Sequence, residues 1–115
     1  MGYDIHLTRR RYWFDEDGPE IGFDEWRAAV DADPELVVAF YGPAAGGQWW
    51  AELPDPDAPY PEGMEWRGAR ASAKHPSTRL LVRMYAVAQR LGARVQGDDG
   101  EYYDERGEQV GYEAH

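Results

Sequence analysis

With 115 residues, of which 43% are hydrophobic and 14% aromatic, the chain fits one domain with one core, which it can bury unaided. Its net charge of −10, from 12 basic and 22 acidic residues, argues against a nucleic-acid partner, because phosphate binding needs a basic footprint. The lack of cysteine excludes disulfides and thiolate metal sites.

No run approaches the roughly 20 apolar residues of a membrane span, and the N-terminal MGYDIHLTRRRYW has no apolar stretch of the signal-peptide kind. We therefore expect a cytoplasmic protein, not a membrane protein. The charge is unevenly placed. Residues 15–36 hold nine acids and one Arg, residues 64–94 seven bases and one Glu, and residues 95–115 seven acids and one Arg. Either these segments neutralise each other across the fold, or they give a bipolar surface to a partner.

Tyr3 to Leu7 alternates apolar and polar residues and reads as a strand. The triplet Arg9, Arg10 and Arg11 follows, either as an anion grip or as a solvated strand end near carboxylates. DEDGPE is a loop by composition. A first helix is expected over Gly22 to Ala32, with Gly22 as cap, Glu25 at N3 and acids in the first turn. Ile21 and Trp26 have the spacing of a hydrophobic staple. Phe23, Trp26 and Val30 mark its buried stripe.

Val37 to Tyr41 and Gln48 to Leu53 are strands joined by GPAAGG. Gly42 and Gly47 have the outer spacing of a phosphate-binding loop, but Gln48 and Trp49 replace its Lys and Ser/Thr, so a hairpin connection is the reading. Trp49 and Trp50 must point to opposite faces of a strand, which leaves one of them for a surface. PDPDAPYPEG is a proline-rich loop, a spacer or a presenter of Tyr60. Met64 to Ala73 reads as one strand, ended by Lys74-His75-Pro76.

Ser77 to Leu91 has the strongest pattern. Leu80, Leu81, Met84, Tyr85, Val87, Ala88 and Leu91 share one helical face. Ser77 caps the start and Gly92 follows the end. On the polar side Arg79, Arg83 and Arg90 form a stripe that either binds an anion, is solvated, or pairs with the acidic first helix. Ala93 to Gln96 is a strand, Asp99-Gly100 a hairpin turn, Glu101 to Tyr103 its return, and Gln109 to Tyr112 a last edge strand.

No string has catalytic spacing. His6, His75 and His115 lack metal-site partners, and Ser72 and Ser77 lie outside any nucleophile-elbow sequence. We expect no catalytic residue, no metal and no cofactor. The most distinctive short string is the acidic turn. Asp98, Asp99 and Glu101 beside Tyr102 and Tyr103 suggest a docking patch for a basic protein. A plain hairpin turn explains Asp99-Gly100 by itself.

The strings GYDIHLTR, IGFDEW, DADPEL, KHP and LGARVQGDDGEYY, about half of the chain and at its two ends, resemble a family of small uncharacterised bacterial proteins. That resemblance implies no activity and no site residue. Members often carry Ser at the first helix cap, where this chain has Gly22. In size and acidity the chain is also similar in type to the immunity proteins of bacterial toxin systems, small acidic α+β proteins that plug a toxin's active site.

The expected architecture is a single α+β domain over residues 1–115. It has an antiparallel sheet of about five or six strands with two helices packed on one face. The expected function is non-enzymatic binding of a basic protein, in its sharpest form inhibition of a basic bacterial toxin. Alternatives are a small ligand-binding domain or enzyme with an Arg/carboxylate cleft near Arg79, Arg83 and Arg90, and a homodimer that uses an exposed edge strand and a surplus Trp.

Overall fold

The computed structural model describes residues 3–42 and 47–112. The middle of the expected GPAAGG connection, residues 43–46, and the chain's last three residues lie outside the described residues. The elements run β1 (Asp4–Thr8), α1 (Phe23–Asp31), β2 (Val37–Tyr41), β3 (Gln48–Leu53), β4 (Glu62–Trp66), β5 (Ala71–Lys74), α2 (Thr78–Leu91), β6 (Arg94–Gly97), β7 (Glu101–Tyr103) and β8 (Gln109–Tyr112). The strands form one antiparallel sheet in the order β2-β3-β4-β5-β1-β6-β7-β8.

Among the described residues the sheet has eight strands, not five or six. The stretch expected as one long strand from Met64 to Ala73 is a hairpin. Gly68 takes φ +95°, a backbone state open to glycine and strained for other residues, and Arg67 N–H donates to Arg70 O at 2.7 Å. The chain thus folds back and supplies β4 and β5. The last edge strand expected over Gln109 to Tyr112 is β8, reached through a turn closed by Gly107 N–H to Asp104 O at 3.0 Å.

α2 forms where its pattern places it. Ser77 Oγ accepts from Leu80 N–H at 3.2 Å. At the other end Gly92 is left-handed at φ +62°, and Ala93 N–H reaches back to Ala88 O at 2.9 Å. Its buried face comprises Leu80, Leu81, Met84, Val87, Ala88 and Leu91. Each large side chain there contributes roughly 1.5–3 kcal/mol, so together they outweigh the caps, at about 1 kcal/mol apiece. α1 starts at Phe23, with the Glu25 carboxylate accepting from Gly22 N–H at 3.0 Å. Ile21 and Trp26 are both fully buried, as the staple spacing requires.

Alternation along the strands divides the sheet into two faces. Ile5, Leu7, Ala51, Leu53, Met64, Ala71, Ala73 and Val95 point to one side and join the buried residues of both helices in one core. Trp49 lies on this side, with its ring 5.0 Å from Phe23. Trp50 lies on the other, so one of the tandem tryptophans does stay outside the core. Among the described residues no helix is long and apolar enough to cross a membrane.

Candidate functional site

The face without helices carries the chemistry. Strand register lines up one transverse row across it: Ala39, Trp50, Glu65, Ser72, His6, Gln96 and Tyr102. A helix-free sheet face is normally polar and wet. Here the middle of the row is roofed by the loop that follows β1. Gln96 Oε1 accepts from Trp13 N–H at 2.7 Å, and Gln96 Nε2 donates to Arg11 O at 3.1 Å. Arg94 donates to Arg10 O at 2.9 Å. Trp13 so held stacks on the His6 ring, with centroids 4.0 Å apart and planes 12° apart.

His6 is therefore 2% exposed. Its Nδ1 lies 2.6 Å from Ser72 Oγ and its Nε2 2.8 Å from Asp98 Oδ1. Burial lowers the imidazole pKa below its ordinary value, and nearby Arg70 lowers it further; the Asp98 hydrogen bond works the other way but loses. The neutral ring has one donor and one acceptor. A carboxylate only accepts, so Nε2–H donates to Asp98 and Nδ1 accepts from the Ser72 hydroxyl.

The sign of the pH effect follows. Between the depressed folded pKa and the unfolded value of about 6.5, the unfolded chain binds the extra proton, so stability rises with pH across that window. It falls as pH drops below about 6.5, by at most about 1.4 kcal/mol per pH unit for one group. Urea midpoints at pH 5.5 and 7 should show this slope. His6→Gln should flatten it, and an unchanged slope in that variant would refute the assignment.

Ser72, at 5% exposure, opens onto a cleft of about 270 Å³ lined by Asp4, Trp50, Glu65, Arg67, Lys74 and His75 among others. Beside it, sharing Trp50 and Pro61, is a shallower hollow of about 400 Å³. Tyr41, Gln48, Glu52 and Tyr60 complete that hollow, and it contains no basic side chain. Tyr60 is 81% and Tyr41 51% exposed. The Tyr41 hydroxyl donates to Glu52, which holds the ring across the hollow.

The acidic turn does not present its five expected residues as one surface. Asp98 closes the sheet end: Oδ2 accepts from Asp4 N–H at 2.8 Å while Oδ1 holds His6. Glu101 is 3% exposed and faces the helix side. It accepts from the Tyr3 hydroxyl, and from Tyr103 at 2.8 Å. Burial, and then the carboxylate, push both phenols well above their ordinary pKa. Asp99 is exposed. Tyr102 lies on the helix-free face with the Arg94 guanidinium 5.6 Å from its ring centre.

The Arg stripe also has partners. Arg83 lies 3.4 Å from Asp33 and 3.2 Å from Glu35, Arg90 3.6 Å from Asp33, and Arg79 3.8 Å from Asp55. The Asp33 side chain is fully buried between the first two. Arg9 holds Glu25 at 2.8 Å and Leu91 O at 2.8 Å, tying the roof loop to both helices. Among the described residues no group of three His, Cys, Asp or Glu side chains could hold a metal ion.

Sequence spacing gave no reason to join His6, Ser72 and Asp98, which lie on β1, on β5 and in the turn after β6. The hollow was only half visible, in the surplus Trp and the proline loop that carries Tyr60. No protein-family model, curated protein or solved structure matches the chain.

Proposed function

We propose that the chain is a non-enzymatic binding protein that takes a basic protein partner on the helix-free face of its sheet. Inhibition of a basic bacterial toxin, in the manner of immunity proteins, is the specific form of this reading. The observation that carries it is the hollow where Trp50, Tyr41 and Tyr60 surround Glu52. Aromatic rings supply contact area at low entropic cost, and a carboxylate among them attracts a cation. The net charge of −10 steers a basic partner toward the surface and speeds encounter.

Immobilised protein should retain a basic protein from a lysate of the native organism at low salt and release it at about 0.5 M salt, where charges are screened within a few ångströms. Tyr60→Ala combined with Glu52→Gln should lower retention at least tenfold. Retention of nothing, or equal retention by the variant, overturns the reading.

A second reading places a small ligand in the Ser72 cleft. It is favoured by the Ser72 hydroxyl, which donates to His6 Nδ1 and lines the cleft. Lys74 would meet an acid group beside the Arg67–Glu65 pair, whose charged groups lie 3.8 Å apart. Acyl transfer at Ser72 fits less well. The residue lies mid-strand with neighbours on both sides, so the surrounding amides are committed to the ladder and are not aimed at an oxyanion.

A further inference from the structure

We infer that β2 pairs with β2 of a second copy, so that two eight-stranded sheets continue into one. β2 is an outer strand of the sheet, and among the described residues nothing pairs with its outer edge. Such an edge presents a row of free N–H and C=O groups. Proteins that stay monomeric usually blunt it with a charge, a proline, a bulge or a short strand. β2 has none of these. Val37-Val38-Ala39-Phe40-Tyr41 carries no charge and no proline, and all five residues stay in unbroken register with β3. Val37 is 52%, Phe40 38% and Tyr41 51% exposed. The opposite edge differs. β8 shifts register against β7 between Tyr102 and Tyr103 and contains Gly111, so it is the protected edge.

The occupant is a second copy because the strand complements itself. An antiparallel two-fold pairing centred on Ala39 sets Ala39 against Ala39, Val38 against Phe40 and Val37 against Tyr41. Each contact of unlike residues joins a β-branched side chain to an aromatic one, a favourable cross-strand combination. The faces also agree. Val38 and Phe40 both point to the helix side, whereas Val37, Ala39 and Tyr41 all point to the other. The strand itself brings no charge to the seam, and Glu52 stands one strand away on β3, opposite Val37 and held by the Tyr41 hydroxyl. Glu35, the nearest charged residue before the strand, is four residues from the centre, about 13 Å along an extended chain. Its symmetry mate is then about 26 Å away, beyond the screening length of about 8 Å at physiological salt. The pairing stands whether or not the aromatic hollow takes a basic partner. It would bring two such hollows side by side on one continuous face.

The two-fold axis supplies the test, because residue 39 faces its own copy. Sedimentation at tens of micromolar should give twice the 13.1 kDa of the chain. Ala39→Lys and Ala39→Glu should each be monomeric, with at least a tenfold weaker dimer, while keeping the wild-type circular dichroism spectrum. Mixed one to one, the two variants should form a heterodimer. A monomeric wild type at about 100 μM overturns the inference, and so does a dimer that survives either single exchange or a mixture that stays monomeric. Should either exchange unfold the chain, hydrogen exchange on the wild type decides. Amides of residues 37–41 should gain protection as concentration rises, and concentration-independent exchange there refutes the pairing.

Discussion

Met84→Asp should leave the chain without a cooperative melting transition near that of the wild type. Met84 is fully buried on the sheet side of α2. The exchange removes an apolar contribution of roughly 1.5–3 kcal/mol. It also places a carboxyl where burial is penalised by several kcal/mol, whether the group stays charged or takes up a proton. A domain of this size has a total stability of about 5–15 kcal/mol, so the loss is a large part of the whole. If some fold survives, its midpoint should fall by about 20 °C or more, at several degrees per kcal/mol. Met84→Leu is the control: it conserves volume and should cost less than about 1.5 kcal/mol. Circular dichroism melts of the three proteins decide the matter. A Met84→Asp chain that melts like the wild type would mean that α2 does not pack on the sheet through this face.

Gly97→Val should cost at least about 4 kcal/mol, and most of that should vanish when Glu101 is shortened as well. Gly97 stands opposite Ile5 at the end of β6, and a β-carbon there would overlap the Glu101 carboxylate. That carboxylate is buried and accepts from two tyrosine hydroxyls. Displacing it costs hydrogen bonds to a charged group, at roughly 1.5–3 kcal/mol each. Crowding adds about 1–3 kcal/mol. In a Glu101→Ala background the space is open and the hydrogen bonds are already gone, so Gly97→Val should then cost little. Urea denaturation of the four proteins gives the coupling directly. We expect at least about 2 kcal/mol. Additivity within about 0.5 kcal/mol would show that the two positions do not share this space.

What could be read from the sequence was what local pattern encodes. α2 was legible because its caps and its apolar stripe lie within 16 consecutive residues. The staple at Ile21 and Trp26 and the division of Trp49 from Trp50 were legible for the same reason. The strand count was not, because Gly68 in the run WRGARAS looks like one small residue within a strand until its positive φ is seen. The acidic turn was misleading in a different way. A three-residue strand is too short for alternation to announce its faces, so Glu101 and Tyr103 give no sign that they turn inward while Tyr102 turns outward. His6, Ser72 and Asp98 meet only through sheet register, which no short window contains.

The position of β1 in the sheet has a consequence for how the molecule is made. β1, made before either of its partners, lies between β5 and β6, paired with residues 71–74 on one side and 94–97 on the other. Every pairing it makes thus spans more than half the chain. These non-local pairings close only after long loops are ordered, which slows folding relative to a chain with local contacts alone. At a ribosomal rate of about 5–20 residues per second, the greasy segment Ile5 to Leu7 has no partner strand for several seconds after it is joined.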